Sequence, residues 1–462
     1  MKCSQILNRN LDSDPEISHI TQDSRDVRKG SLFFCSKTGE KGRAYLRDAK
    51  ARGAAVCICA EPKAGCLFSE NVRRDYALAC SRFWGNPEKK LKLIAVTGTN
   101  GKSSVAWILQ HILQNCGLIG TICNRFGDVE IPAVYTTPDA SQLYPLLAQM
   151  AAAGCEYVVM EASSQAIAQQ RLAGLTFELG IFTNLSRDHL DQHGTMEEYF
   201  SVKRSIFTQC KCGLTSADND FGLILKEEDK LTSYSLYSND KTTSDYWVSE
   251  LQKSPSESHF YLEKRGEKVP VSLKIPGEFS VSNAVAALAA ANMLGVPLKK
   301  AATALGSCTG IPGRVQCISV RDFTVIIDYA HTSDGLENVL KMTENLHFKR
   351  IFAVFGCAGE RDRGDRKAMV EMVLRYAEKA VFTADNPREE PWEQICGDVP
   401  QNKRLLRIYD RAEAIETALG WCGKGDVLLL LGKGHETYQA LPGRSVYFSE
   451  LECLREWQKK QP

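Results

Sequence analysis

From Leu93 onward the chain alternates apolar runs that end in glycine or polar residues with amphipathic stretches: LIAVTG, VAWILQHILQ, YVVMEA, LGIFTNL. Strands that are apolar throughout and separated by helices bury both faces in a parallel sheet, so this alternation predicts βαβ units. A second α/β pattern follows IPGRV (311–315), with FTVIIDYA, RIFAVFGCAG, AVFTADNP and DVLLLLGKG. Ligand sites of parallel sheets lie at the carboxyl ends of the strands. DYAH, GERD, ADNP and GKGHE therefore mark a second functional edge. Residues 1–88 read as a small α/β unit, with SLFFCS and AAVCICA flanking a helical YLRDAKARGA. FWGNPEKKLK (83–92) is a polar connector and SVSNAVAALAAANMLGVPLKKAATAL (280–305) is helical. The expected division is 1–90, 91–312 and 313–462, because 462 residues exceed one ordinary domain.

Fifty-seven Lys+Arg against 56 Asp+Glu leave a formal charge of +1, which gives no field for nucleic acid or an anionic membrane. No apolar stretch reaches the roughly 18 residues of a membrane span. MKCSQILNRNLDSDPE lacks the apolar core of a signal peptide. The expectation is a cytoplasmic protein. Many of the 17 cysteines sit in apolar runs, as buried thiols of a reducing compartment do. The pairs Cys57/Cys59 and Cys210/Cys212 have no second pair at zinc spacing, and Cys357 reads as a packing residue.

IAVTGTNGKSS (94–104) places Gly98, Thr99, Asn100, Gly101, Lys102, Ser103 and Ser104 between a strand and a helix. Backbone N–H groups there can hold phosphate oxygens, with Lys102 on the β/γ-phosphates and Ser103 on Mg²⁺. Val96 stands where the strict motif has its first glycine, so the reading is a nucleotide site only as a class. Glu161 ends a strand and is either a cap or a Mg²⁺ ligand. FTNLSRDHLDQHG (182–194) gathers Asn184, Asp188, His189, Asp191 and His193, a Mg²⁺-and-phosphate site or a solvated loop. Lys203 on the helix that follows reads, by itself, as a surface lysine. TADNPREEP (383–391) is turn chemistry, yet the fork of Arg388 would also suit a carboxylate.

Taken together these segments resemble the Mur ligases, most closely the branch that adds the third residue of the peptidoglycan stem peptide. The resemblance runs nearly end to end through DSRDVRKGSLF, TGTNGKSS, YTTPD, MEASSQ, Gln169 and Arg171, FTNLSRDHLDQHG, GEFSVSNAVAALAA, GRV, DYAHTSDGLENVL, GCAGERD, DNPR and GKGHETY. It implies a three-domain α/β protein: a UDP-sugar-binding domain (1–90), a central P-loop ATPase with a parallel sheet (91–312) and a Rossmann-like amino-acid-binding domain (313–462). The implied reaction is ATP-dependent amide formation through an acyl phosphate, joining meso-diaminopimelate to UDP-MurNAc-L-Ala-D-Glu, by a monomer. Implied cofactors are ATP and Mg²⁺.

By the same resemblance, Ser103, Glu161, His189 and a carbamylated Lys203 hold Mg²⁺, and Asn184 belongs to the phosphate region. Asn283, Arg314 and Asp328 contact the nucleotide. Ser24, Thr136, Thr137, Ser163, Gln169 and Arg171 contact the UDP-MurNAc-peptide. Asp385, Asn386, Pro387 and Arg388, with Arg361, Gly432 and Glu436, clamp diaminopimelate, Arg388 taking its far carboxylate and Glu436 its amine. Gln165, Ser333, Ala358 and Glu360 depart from the family's usual residues, and TGEKGRAYL (38–46) is a shortened uridine loop. Two rivals are a folylpolyglutamate synthase-like ligase and a P-loop switch. The first does not need DSRDV or DNPR, and the second does not need a carboxylate pocket on a separate domain.

Overall fold

Lys92–Thr97 is buried from its second residue on and pairs in parallel with Tyr157–Glu161 on one side and Phe177–Phe182 on the other. An apolar run of this kind has no solvent face to offer, and the sheet grows outward from it. The computed structural model describes residues 1–188, 190–237, 244–360 and 363–460. Within them the central sheet has eleven strands, with Cys116–Ile119, Cys210–Ser216, Thr232–Ser235 and the start of Tyr246–Lys253 continuing the parallel pairing.

Antiparallel hairpins finish both edges, Ser258–Lys264 with Glu267–Leu273 at one and Cys123–Phe126 with Val129–Pro132 at the other. The helix Lys102–Ile112 packs on Glu278–Met293, whose alanines are buried all round. A helix apolar on every side is a core helix, and alanine lets its neighbours approach closely.

Four parallel strands, His19–Thr21, Ser31–Cys35, Ala54–Cys59 and Leu67–Phe68, make the N-terminal sheet. The C-terminal sheet has six, in the order Gln316–Val320, Phe323–Asp328, Val427–Leu431, Ile351–Phe355, Lys379–Phe382, Leu405–Arg407, parallel except for the first. The four strands expected to end at a functional edge are thus consecutive neighbours. Their carboxyl ends share one side of the sheet. All 17 cysteines are free thiols, and no cluster of three or more metal-ligating residues occurs among the described residues. No helix there is long and apolar enough to cross a membrane.

Candidate active site

The phosphate loop is set by two glycines. Gly98 (φ 145°) and Gly101 (φ 84°) hold conformations that other residues rarely adopt. A Cβ on Gly98 would meet Thr183 Oγ1 at 1.9 Å, and one on Gly101 would meet Asn283 Oδ1 at 2.3 Å. Asn184 fixes the loop from the side: its Oδ1 accepts from the Asn100 amide at 3.0 Å and its Nδ2 donates to Asn100 O at 3.2 Å. Lys102 folds back, donating to the carbonyls of Gly98 (2.9 Å) and Thr99 (2.8 Å). Burial, with Arg314 acting in the same direction, lowers its pKa against Glu161 and Asp188.

Glu161 is buried and collects donors at the end of its strand. Its Oε2 accepts from Ser103 Oγ at 3.0 Å and lies 3.0 Å from Thr121 Oγ1, and its Oε1 accepts from the Thr121 amide at 2.7 Å. A Cβ on Gly120 would lie 2.3 Å from Oε1, so only glycine lets the carboxylate reach the loop. Glu161 is therefore not a helix cap. One carboxylate and two hydroxyls beside a phosphate loop form a hard-oxygen set, which fits Mg²⁺ completed by phosphate and water. His189 lies outside the described residues.

Lys203 overturns the surface reading. It is 1% exposed, donates to Gly98 O at 2.8 Å and lies over the Tyr199 ring at 4.6 Å. Burial, then the nearby Lys102 ammonium, push its pKa well below the usual lysine value, with Asp188 opposing. His193 is no ligand: it is buried, bonded to Ser164 Oγ at 3.0 Å and stacked on Tyr199.

The C-terminal sheet meets this loop directly. Arg314 donates to Ser103 Oγ at 3.3 Å and covers the Tyr329 ring at 4.5 Å. Asp334 Oδ2 accepts from Asn100 Nδ2 at 2.7 Å and from Ser186 Oγ at 2.9 Å. His435 reaches Thr121 O at 3.2 Å. Arg314 Nε and His435 Nδ1 are buried with no hydrogen-bond partner among the described residues, so polar capacity is left over where the two sheets meet. Asp328 turns both oxygens to backbone, Val315 N and Ala330 N, each at 2.7 Å. In this chain it fixes the 313–315 linker that carries Arg314.

At the second edge, Asn386 (φ 46°) and Arg388 (φ 55°) occupy the left-handed region, a strain that concentrates at functional sites. Asn386 Oδ1 accepts from Ala440 N at 2.9 Å and its Nδ2 donates to Glu436 Oε2 at 2.9 Å. Gly432 (φ 113°) must lack a Cβ, which would stand 2.2 Å from Asp385 Oδ2. Pro387 O packs against Gly359, where a Cβ would fall 1.8 Å away. Arg388 is 40% exposed, and its guanidinium has only Glu360, at 3.9 Å, as an acidic neighbour among the described residues. DNPR is thus a turn and, at once, the mount for a half-exposed guanidinium, whose Nη1 makes one long bond, 3.5 Å, to Gly359 O. Arg361 lies outside the described residues.

The residues expected to touch the peptide form a chain from Glu161. Thr137 Oγ1 donates to Glu161 O at 2.7 Å and lies 3.1 Å from Ser163 Oγ, and Thr136 Oγ1 lies 3.0 Å from Thr121 Oγ1. Arg171 donates to Thr137 O at 2.7 Å and to Gln169 Oε1 at 3.0 Å. Ser24 is buried in the N-terminal unit; two residues earlier, Gln22 donates to Asp139 Oδ2 at 2.5 Å, beside YTTPD. Sequence reasoning missed Lys433, Tyr329, Tyr438 and Asp334. Lys433 stands inside GKGHE and Tyr329 inside DYAH, so their motifs were in view but their burial was not.

A phosphate loop on one parallel sheet, faced by a polar strand edge of another, defines a ligase-type crevice. The sequence patterns of the Mur ligase middle domain and of the Mur ligase glutamate ligase domain match residues 96–291 and 313–434. The chain belongs to the Mur ligase family. The UDP-N-acetylmuramoyl-L-alanyl-D-glutamate–2,6-diaminopimelate ligase of Parabacteroides distasonis is 39% identical over 96% of this chain and 94% of its own. The same-named protein of Clostridium tetani is 35% identical over 98% and 96%. A solved structure of a ligase with that name superposes with a TM-score of 0.73 at 32% identity, covering 99% of both chains.

Proposed function

We propose that the chain joins meso-diaminopimelate to UDP-MurNAc-L-Ala-D-Glu at the expense of ATP, in peptidoglycan precursor synthesis. The observation that carries the reading is a pair of opposite charges on one strand edge: the half-exposed Arg388 guanidinium and the buried Glu436 carboxylate, which is bonded to Asn386 of the same turn, with Tyr438 near both. Diaminopimelate has a carboxylate and an ammonium at its far end, one for each. The names of the relatives above agree with this choice.

A carboxylate is a poor acyl donor because its leaving group would be oxide. Attack of the acceptor's terminal carboxylate on the γ-phosphorus gives an acyl phosphate and ADP. The amine of the incoming amino acid then displaces phosphate through a tetrahedral intermediate. The chain's own task is positioning and charge screening. Lys102 exchanges two loop carbonyls for phosphate oxygens, and Arg314 lies one hydrogen bond from Ser103 to meet the same charge. Asn184 braces the loop through Asn100, and Asn283, which packs against Gly101, contacts the nucleotide. Arg171, Gln169, Thr136, Thr137 and Ser163 receive the peptide, and Ser24 the nucleotide end.

Ser103 and Glu161 would hold Mg²⁺, which when bound neutralises phosphate charge. Lys203, carbamylated, would add an anion for a second ion. Its lowered pKa supports this, since only a neutral amine adds to CO₂. The enzyme acts as a cytoplasmic monomer, with its units meeting at 90/91 and 312/313. ADP formation, assayed against a panel of amino acids with and without UDP-MurNAc-L-Ala-D-Glu, tests the reading. Dependence on both the acceptor and diaminopimelate is expected, and hydrolysis of ATP alone would point to a switch.

A further inference from the structure

Lys433 is completely buried, and its ammonium stands 2.9 Å from Glu436 Oε2, 3.1 Å from Asn386 Oδ1 and 3.7 Å from Asp385 Oδ1. Two carboxylates share one ammonium, so the cluster has one formal negative charge more than positive. The neighbouring Arg411–Glu450 pair leaves that balance unchanged. It is neutral in itself, with Arg411 Nη2 2.7 Å from Glu450 Oε1 and 2.8 Å from Leu431 O. A buried charge without a full partner is costly, and a ligand ammonium would cancel it.

Lys433 also decides which oxygen of Glu436 is the less tightly held. Its ammonium and Asn386 Nδ2 both occupy Oε2, at 2.9 Å each. Oε1 accepts long hydrogen bonds, 3.4 Å each, from the Tyr329 and Tyr438 hydroxyls, weaker than those held by Oε2. Burial raises the Glu436 pKa, but Lys433, with Asn386 adding to it, outweighs burial and keeps it below the ordinary value.

We propose that Lys433 is a positioning residue for specificity: by holding Glu436 Oε2 it leaves the weakly held Oε1 for the ligand and keeps the site selective for an amino acid with an ammonium at its far end. The role rests on the amino-acid site proposed above. Lys433 acts through Glu436, and its ammonium is spent on protein oxygens.

The test compares meso-diaminopimelate with 2-aminopimelate, which keeps the far carboxylate and lacks the far ammonium. ADP formation with UDP-MurNAc-L-Ala-D-Glu is measured for wild type, Lys433→Met, Glu436→Gln and the double variant. Wild type should prefer diaminopimelate by about 10²-fold or more in kcat/KM, as expected for one partner of a desolvated charge pair. Lys433→Met should raise the KM for diaminopimelate, leave the KM for ATP near wild type and cut the preference by roughly tenfold or more.

In that variant the KM for diaminopimelate should also climb as pH falls, because Glu436 protonates once its cation is gone. Equal losses with both amino acids, leaving the ratio intact, would overturn the proposal. If Lys433→Met does not fold, Glu436→Gln reads the same ratio, and an unchanged ratio there overturns it equally. The double variant should lose no more discrimination than Glu436→Gln. Wild type turning over neither amino acid would overturn the substrate reading itself, and the role of Lys433 with it.

Discussion

Lys203 and Lys102 aim their ammonium nitrogens at one atom, the carbonyl oxygen of Gly98, from 2.8 and 2.9 Å. Burial lowers the pKa of both, and for Lys203 the nearby Lys102 ammonium adds to the effect. The arrangement suits a state in which one of the two nitrogens has lost its charge.

Lys203 is the one expected to lose it, as a carbamate. Lys203→Ala should nearly abolish ADP formation, and a short carboxylic acid in the buffer should restore part of it. Because the folded pKa lies below the unfolded one, the unfolded chain binds more protons between them. The stability of the unmodified protein therefore rises with pH through that window and is least below the native pKa. Lys203→Met should accordingly melt higher than CO₂-depleted wild type at neutral pH, by about 2–4 °C for each kcal/mol gained. A lower melting point would contradict the burial cost of the ammonium, and full activity in the alanine variant would contradict the carbamate role.

Lys102→Ala should fold normally and fail in turnover, by on the order of 10³-fold, since charge on the transferring phosphoryl group is greatest in the transition state. Calorimetric nucleotide binding alongside kcat separates this outcome from a loss of affinity alone.

The strands, the helix after the phosphate loop and the shared edge of DYAH, GERD, ADNP and GKGHE were legible in the sequence, because periodicity and strand ends are local properties. The hairpins at 123–132 and 258–273 were not, since strands at the rims of the sheet with mixed polarity give no long apolar run. Lys203 and Lys433 were hidden for a different reason. Nothing in SVKRS or GKGHE tells that the lysine is buried. The partner of Lys203 is a carbonyl 105 residues away, and Lys433 meets Asn386 47 residues away.

Gly120→Ala tests the geometry around Glu161. The added Cβ, 2.3 Å from Oε1, displaces a carboxylate whose other oxygen holds Ser103. The Mg²⁺ concentration for half-maximal activity should rise by about 10–100-fold, the usual effect of disturbing a group that orients a metal ligand. An unchanged Mg²⁺ requirement would remove Glu161 from the metal site.

His435 joins the two sheets through Thr121 O, and burial, aided by Arg314, pushes its pKa down to about 4. Its folded value lies below the ordinary 6.5, so stability is complete above about 6.5 and falls as pH drops toward 4. Thermal unfolding followed from pH 7 to 4 should show this decline, and His435→Gln should flatten it. An equally steep decline in the variant would assign the effect to other groups.

Arg388 is expected to take the far carboxylate of diaminopimelate. Because Arg388 is 40% exposed, its pairing with a carboxylate is weaker than a fully buried one. The direct measurement is kcat/KM for meso-diaminopimelate and for L-lysine, in wild type and in Arg388→Ala. Wild type should favour diaminopimelate by about 10²-fold or more, as a bidentate charged pair allows, and the variant should lose most of that preference. Equal use of lysine by wild type, or an unchanged ratio in the variant, would contradict the account and leave DNPR a turn and nothing more.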